Sequence, residues 1–150
     1  MERSRPRVAA ALLLCLVVSF SACAKATHEE AATAEPAKVE KIAGSDLNRL
    51  ELTKEAVDRL GITTAPVREL TPPVAGRTVV DYSALIYDAN GAASVYTSPE
   101  PLVFVRAPVT VDSIDHAQAV LSRGPPTGTA VVTVGAPELY GIDGGIGGNE

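Results

Sequence analysis

The sequence is poor in the residues from which disulfides and soft-metal sites are made. It contains two cysteines, Cys15 and Cys23, and one methionine, Met1. Cys15 lies in an apolar N-terminal run that we expect to be removed, so the mature chain would keep one cysteine and form no internal disulfide. Copper and similar metals prefer thiolate and thioether ligands. The composition therefore disfavours a disulfide framework and a copper-handling role.

Patterns typical of zinc binding are also missing. The two histidines are His28, beside a pair of glutamates, and His116, beside Asp115. A zinc site needs three or four well-placed ligands, and the spacing of these histidines fits no recognised motif. We expect both histidines to be exposed and solvated. The sequence predicts no metal site, no other cofactor and no enzymatic activity.

Two further features fall short of catalytic motifs. Ser83, Ser94 and Ser98 lack the Gly-x-Ser-x-Gly context of a nucleophile elbow. The glycines within residues 144–148 follow no strand-to-helix arrangement and have no lysine after them, so a phosphate-binding loop is not predicted. Residues 144–150 are expected to form a flexible Gly-rich tail.

Basic residues are concentrated at the very start of the chain. Arg3, Arg5 and Arg7 precede an apolar run at residues 8–20, and small residues follow it. This order is typical of a secretory signal peptide. A retained transmembrane helix is the weaker interpretation, because crossing a bilayer takes roughly 20 apolar residues. We predict export, with the mature protein in the cell envelope, facing the periplasm or the exterior.

The end of the apolar run indicates a lipid anchor. The residues Phe20-Ser21-Ala22-Cys23 resemble the bacterial lipobox, in which the cysteine receives a diacylglyceryl group and becomes the new N-terminus. Residues 1–22 would then be a lipoprotein signal peptide, and Cys23 would attach the chain to membrane lipid through fatty acyl chains. The alternative is an ordinary signal peptide with a chance cysteine at this position.

Loss of residues 1–22 makes the remaining chain more acidic. It removes three of the 13 basic residues and one of the 18 acidic residues, which leaves a formal net charge of −7. Phosphate backbones repel such a chain, and no basic cluster offsets the average. Nucleic acid is therefore not an expected partner.

Composition divides the mature chain into three parts. Residues 23–45 carry the lipidated cysteine and are rich in Ala, Glu, Lys and Thr with little apolar periodicity, which predicts a disordered tether. Residues 46–143 have the size and patterning of one domain. The Gly-rich tail follows.

The domain is predicted to be mostly β. Thr53 and Gly61 bracket a short helical pattern as its N-cap and its C-terminal stop. After it come six or seven short strands with turn signals every 8–12 residues, and one helical turn is expected at residues 137–140. We predict a small antiparallel β-barrel or β-roll with one or two short helices.

The strongest local turn signal is Asn90-Gly91. It lies between strand-like segments at residues 82–87 and 92–97 and predicts a hairpin closed by a type I′ turn. Tyr82, Tyr87 and Tyr96 lie on these segments. With Phe104, they are expected to pack in the core or across strands, and any that are exposed together would mark a docking face.

Two parts of the domain resemble the periplasmic adaptor subunits, or membrane fusion proteins, of resistance-nodulation-division efflux pumps. Residues 52–57, 60–65 and 67 are similar to the opening strand of those adaptors. A longer series of short motifs is similar to the membrane-proximal β-domain that ends them, at residues 83–87, 95–96, 103–106, 108–109, 128–135 and 138–141.

The chain departs from that family between the two matches. Full adaptors carry a lipoyl-like domain and an α-helical hairpin there, whereas this chain has only residues 70–82. The resemblance implies a lipid-anchored, non-catalytic accessory protein that contacts a resistance-nodulation-division transporter or its full-length adaptor near the bilayer. The alternatives are an unrelated small lipoprotein that binds a ligand in its β-barrel and, with almost no sequence support, an enzyme.

Overall fold

The computed structural model describes residues 35–71 and 76–145, and in these ranges the protein is mostly β. The strands are β1 (Ala37–Lys41), β2 (Asn48–Leu52), β3 (Thr63–Pro66), β4 (Arg68–Glu69), β5 (Thr78–Asp81), β6 (Ile86–Tyr87), β7 (Ala93–Glu100), β8 (Val103–Pro108), β9 (Thr110–Asp115), β10 (Gln118–Arg123) and β11 (Ala130–Val134). The helices are α1 (Lys54–Leu60) and α2 (Ala136–Asp143), with one 3-10 turn at Tyr82–Ala84. The signal peptide, Cys23 and His28 lie outside the described residues.

The strands form two antiparallel sheets. The larger sheet has the order β1-β2-β8-β7-β11-β3, with β6 also paired to β7, and the smaller sheet has the order β4-β5-β10-β9. The prediction of a small mostly β, antiparallel domain with short helices is therefore confirmed. Of the two shapes considered, the barrel does not form, because neither sheet closes on itself in the described ranges.

Central strands of the larger sheet are buried on both faces. On β7, Val95 and Tyr96 are both fully buried, and because successive strand residues point to opposite faces they enter different clusters. Val131 and Val132 do the same on β11. We call the cluster containing Tyr96 and both α-helices the helix-side cluster, and the one shared with the smaller sheet the sheet-side cluster.

Helix α1 begins and ends where the sequence predicts. The Thr53 hydroxyl accepts a hydrogen bond from the Ala56 N–H at 3.2 Å, and Gly61 adopts φ 64° at the C-terminus. Helix α2 is longer than the predicted turn and runs to Asp143. Its N-cap is Gly135 (φ 89°), where an added Cβ would lie 2.7 Å from Ile62 Cγ1. Glycine is therefore needed there for both conformation and space.

The hairpin between β6 and β7 has the predicted position but a different turn. Only Gly91 (φ 82°) has positive φ, whereas a type I′ turn needs positive φ at Asn90 as well. Asp88 explains the difference, because its Oδ1 accepts hydrogen bonds from the N–H groups of Asn90 (2.8 Å) and Ala92 (2.9 Å). These bonds stabilise a type I turn followed by a left-handed glycine. The type I′ prediction is wrong.

The predicted tether is also too long. Residues 37–41, assigned to the disordered segment 23–45, form strand β1 in regular antiparallel register with β2. The strand is held by its partner, because Val39 lies opposite the buried Leu50 and Ala37 packs against the helix-side cluster. A polar segment without periodicity can thus become a strand when an adjacent strand supplies its hydrogen bonds.

Candidate functional site

Several charged and polar groups converge at the end of α2. Asp143 is the last residue of that helix, and its side chain is only 4% exposed. Its carboxylate accepts hydrogen bonds from the Tyr96 hydroxyl and from Asn48 Nδ2, each at 2.7 Å. Arg106 Nε lies 3.0 Å from Asp143 Oδ2. We call these four residues the Asp143 network.

Electrostatics favour a neutral tyrosine in this network. Burial is the main reason that the pKa of Tyr96 is raised far above its usual value, and the hydrogen bond to Asp143 raises it further. The guanidinium of Arg106 also lies 5.9 Å from the ring centroid of Tyr140 on α2, which adds a cation–π contact between β8 and this helix. Tyr96 therefore stays protonated near neutral pH and donates its hydrogen bond to Asp143.

The Asp143 network joins distant parts of the chain. Asn48, Tyr96 and Arg106 come from β2, β7 and β8, and all three contact the last residue of α2. The negative charge of Asp143 is balanced by Arg106. The arrangement fixes α2 against the larger sheet, and sequence reasoning missed it because Asp143 was placed at the edge of a flexible tail. The signal that could have revealed it is the hydroxyl of a tyrosine on a core strand, which needs a partner when buried.

Histidine and serine candidates are dispersed. His116 occupies the turn between β9 and β10, where its side chain is 91% exposed, as predicted, and its Nδ1 lies 2.6 Å from Asp115 Oδ1. Ser83 lies on the 3-10 turn, while Ser94 and Ser98 lie on β7. Within residues 35–71 and 76–145, no three His, Cys, Asp or Glu side chains are grouped so that they could hold a metal ion. The first glycines of the tail, Gly144 and Gly145, terminate α2.

The four aromatic residues singled out from the sequence divide into two pairs. Tyr96 and Phe104 are buried in the helix-side cluster, as expected for core residues. Tyr82 and Tyr87 are 47% and 45% exposed. They lie at the two ends of residues 82–87, which connect the smaller sheet to β7 and which we call the connector.

Two surface clefts, of about 520 and 740 Å³, run along Glu69 and Leu70. The first is lined by Arg77 and Arg123. They are open grooves beside the smaller sheet. A ligand site enclosed by a barrel has no counterpart in the described part of the chain, because the sheets stay open.

Comparison with models of known protein families, with curated proteins and with solved structures finds no match for this chain. Among the described residues, no helix is long and apolar enough to cross a membrane.

Proposed function

We propose that this chain is a lipid-anchored, non-catalytic accessory protein that binds a membrane transport complex through its β-domain. The resemblance to the membrane-proximal domain of efflux adaptors supports the partner class, a resistance-nodulation-division transporter or its full-length adaptor. Cys23 would hold the protein on the membrane surface. The docking role is proposed because two tyrosines of the connector, Tyr82 and Tyr87, are exposed.

The connector presents its tyrosines from a fixed backbone. Between them, Ala84 and Leu85 pack in the sheet-side cluster and Ile86 packs in the helix-side cluster. The Tyr82 N–H also donates to the Ala117 carbonyl at 2.8 Å. Because the backbone is already ordered, burying the two rings against a partner would cost little conformational entropy.

Tyrosine suits such a surface for a chemical reason. Its ring offers a large apolar area with two side-chain torsions, and its hydroxyl remains able to hydrogen-bond, so tyrosine is enriched at protein interfaces. A lipid anchor would keep the partner search within the membrane plane. Docking near the bilayer would then need no helical hairpin.

Affinity purification under mild detergent tests the docking surface. The double variant Tyr82→Ser, Tyr87→Ser should lose co-purifying transporter or adaptor subunits. Ile114→Ser is the matched control, because Ile114 is 49% exposed but lies on β9, and it should retain them. Equal recovery with both variants would contradict docking through the connector.

Genetics tests the accessory role. Deleting the gene should change efflux only in cells that contain an intact pump and adaptor, because this chain lacks the segment that reaches an exit channel. Restoration of efflux by this protein in a strain without the adaptor would contradict the proposal.

A further inference from the structure

The strands at the edges of the two sheets differ in how they discourage pairing with another strand. At one end of the larger sheet, β3 is short and contains Pro66, and at one end of the smaller sheet β4 has two residues. Strand β9 is longer, but its pairing with β10 contains two register shifts. Bulges, proline, short length and charged side chains are common devices that keep sheet edges apart. Of these, β1 has only charged side chains, and because Lys38, Glu40 and Lys41 carry both signs they need not repel a second strand.

The free edge of β1 presents backbone groups of alternate residues. The Pro36 carbonyl accepts from the Thr53 N–H, and the Ile42 N–H donates to the Leu47 carbonyl, both toward the β2 side. Because N–H and C=O groups alternate in direction along a strand, those of Ala37, Val39 and Lys41 point away from β2. No described strand pairs with that edge.

The charges of β1 are complementary to a second copy of the same strand. In antiparallel pairing centred on Val39, Lys38 of each copy lies opposite Glu40 of the other. The outward residues 37, 39 and 41 then exchange about six backbone hydrogen bonds, and Lys38 and Glu40 occupy the pairs whose side chains lie closest. Val39, which is 45% exposed, meets its own counterpart.

Strand β2 extends this complementarity. Lys38 lies opposite Glu51, and Glu40 lies opposite Arg49. In the four-stranded arrangement of two copies, Glu51 and Lys38 of one copy would lie in line with Glu40 and Arg49 of the other. The charges along this line alternate in sign. Within one copy, hydrogen bonding raises the pKa of Lys38 and lowers that of Glu40, so both side chains stay charged near neutral pH.

The same charges exclude neighbouring registers. A shift of the pairing by two residues in one direction places Lys38 opposite Lys38, and the opposite shift places Glu40 opposite Glu40. Like charges directly opposite each other destabilise a strand pair. Strand β9 has no register that pairs opposite charges between two copies, because its charged residues, Asp112 and Asp115, are both acidic and repel their counterparts.

We infer that β1 is a self-association edge, through which two copies of this chain join their larger sheets in antiparallel register centred on Val39. The interface is small, so the dimer in solution is weak. The inference is independent of the connector and of any transport partner. If Cys23 carries lipid as proposed, two anchored copies would meet at a higher effective concentration.

Thiol trapping tests the register. In the full chain with Cys15→Ser and Cys23→Ser, Val39→Cys should give a disulfide-linked dimer under mild oxidation, since paired Cα atoms about 5.5 Å apart suit a disulfide. Ile114→Cys is the control, because it replaces a β-branched residue of similar exposure on the other long edge strand. Failure of Val39→Cys to cross-link, or equal cross-linking at Ile114→Cys, would overturn the inference.

Charge reversal tests the pairing itself. In the Val39→Cys background, Lys38→Glu and Glu40→Lys each place like charges opposite each other and should each reduce dimer yield about tenfold. An equimolar mixture of the two variants restores opposite charges and should recover the dimer. Each substitution weakens β1 within its own chain equally in the mixture, so a recovered dimer yield would show that the charges pair between copies. Yields that stay low on mixing, or never fall in the single variants, would overturn the proposed register.

Discussion

The two cores of this small domain are built differently. The sheet-side cluster consists entirely of valine, alanine and leucine. The helix-side cluster includes Phe104 and Tyr96, and its tyrosine hydroxyl reaches the Asp143 network. The first is therefore maintained by shape and apolar burial, whereas the second also depends on directional bonds that fix the position of one helix. Substitutions of equal size should therefore be tolerated in the sheet-side cluster and costly in the helix-side cluster.

The largest effect is expected where packing alone acts. Leu121 is fully buried in the sheet-side cluster, so Leu121→Ala should lower the free energy of unfolding by about 3 kcal/mol through lost burial and a cavity. Leu121→Met preserves volume and should cost less than about 1.5 kcal/mol. Urea denaturation measures both. If methionine costs as much as alanine, the sheet-side cluster is more specific than its composition indicates.

The next effect concerns the Asp143 network. Asp143→Ala should lower the free energy of unfolding by about 2 kcal/mol, because Tyr96 and Asn48 lose an acceptor and Arg106 loses its counter-charge. Partial exposure of Arg106 limits the loss. The control Asp112→Ala removes an exposed pair with Arg77 and should cost less than about 0.5 kcal/mol. Equal losses in the two variants would remove the distinction between the cores.

The smallest effect isolates one hydroxyl group. Tyr96→Phe preserves the ring and should cost about 1 kcal/mol at neutral pH. Because the folded pKa of Tyr96 is raised, its contribution is fully present below pH 10, the usual tyrosine value, and is lost as the pH rises above it. Above pH 10 the wild-type unfolding free energy should fall more steeply than that of Tyr96→Phe, by up to about 1.4 kcal/mol per pH unit.

Tyr82→Phe is the control for loss of a hydroxyl group, because Tyr82 is exposed, and at neutral pH it should cost less than about 0.5 kcal/mol. If the unfolding free energy of Tyr96→Phe falls above pH 10 as steeply as that of the wild type, the hydroxyl of Tyr96 is solvated in the folded protein.

Local patterns predicted local structure well. The N-cap of α1 at Thr53 and the hairpin position at Gly91 depend on residues within a few positions, and both were predicted from the sequence. The turn type was not, because the side chain of Asp88 competes for the backbone groups that would otherwise adopt a type I′ turn.

Features that depend on distant partners were missed. Strand β1 has no periodicity of its own and becomes ordered against β2. The Asp143 network brings together residues separated by as many as 95 positions, so no window of sequence contains it. The sequence did not predict that Tyr82 and Tyr87 are the exposed aromatic residues. An alternating pattern does not show which face of a two-sheet domain remains uncovered.

The late position of α2 in the chain has a consequence for synthesis. Ala136 and Leu139 pack in the helix-side cluster, and Asp143 completes it. A nascent chain cannot cover Leu50 and Leu52 with this helix until residue 143 has left the ribosome, by which time the strands that the structure describes have all emerged. The helix-side cluster is therefore a core that can be completed only after the strands of both sheets have been made.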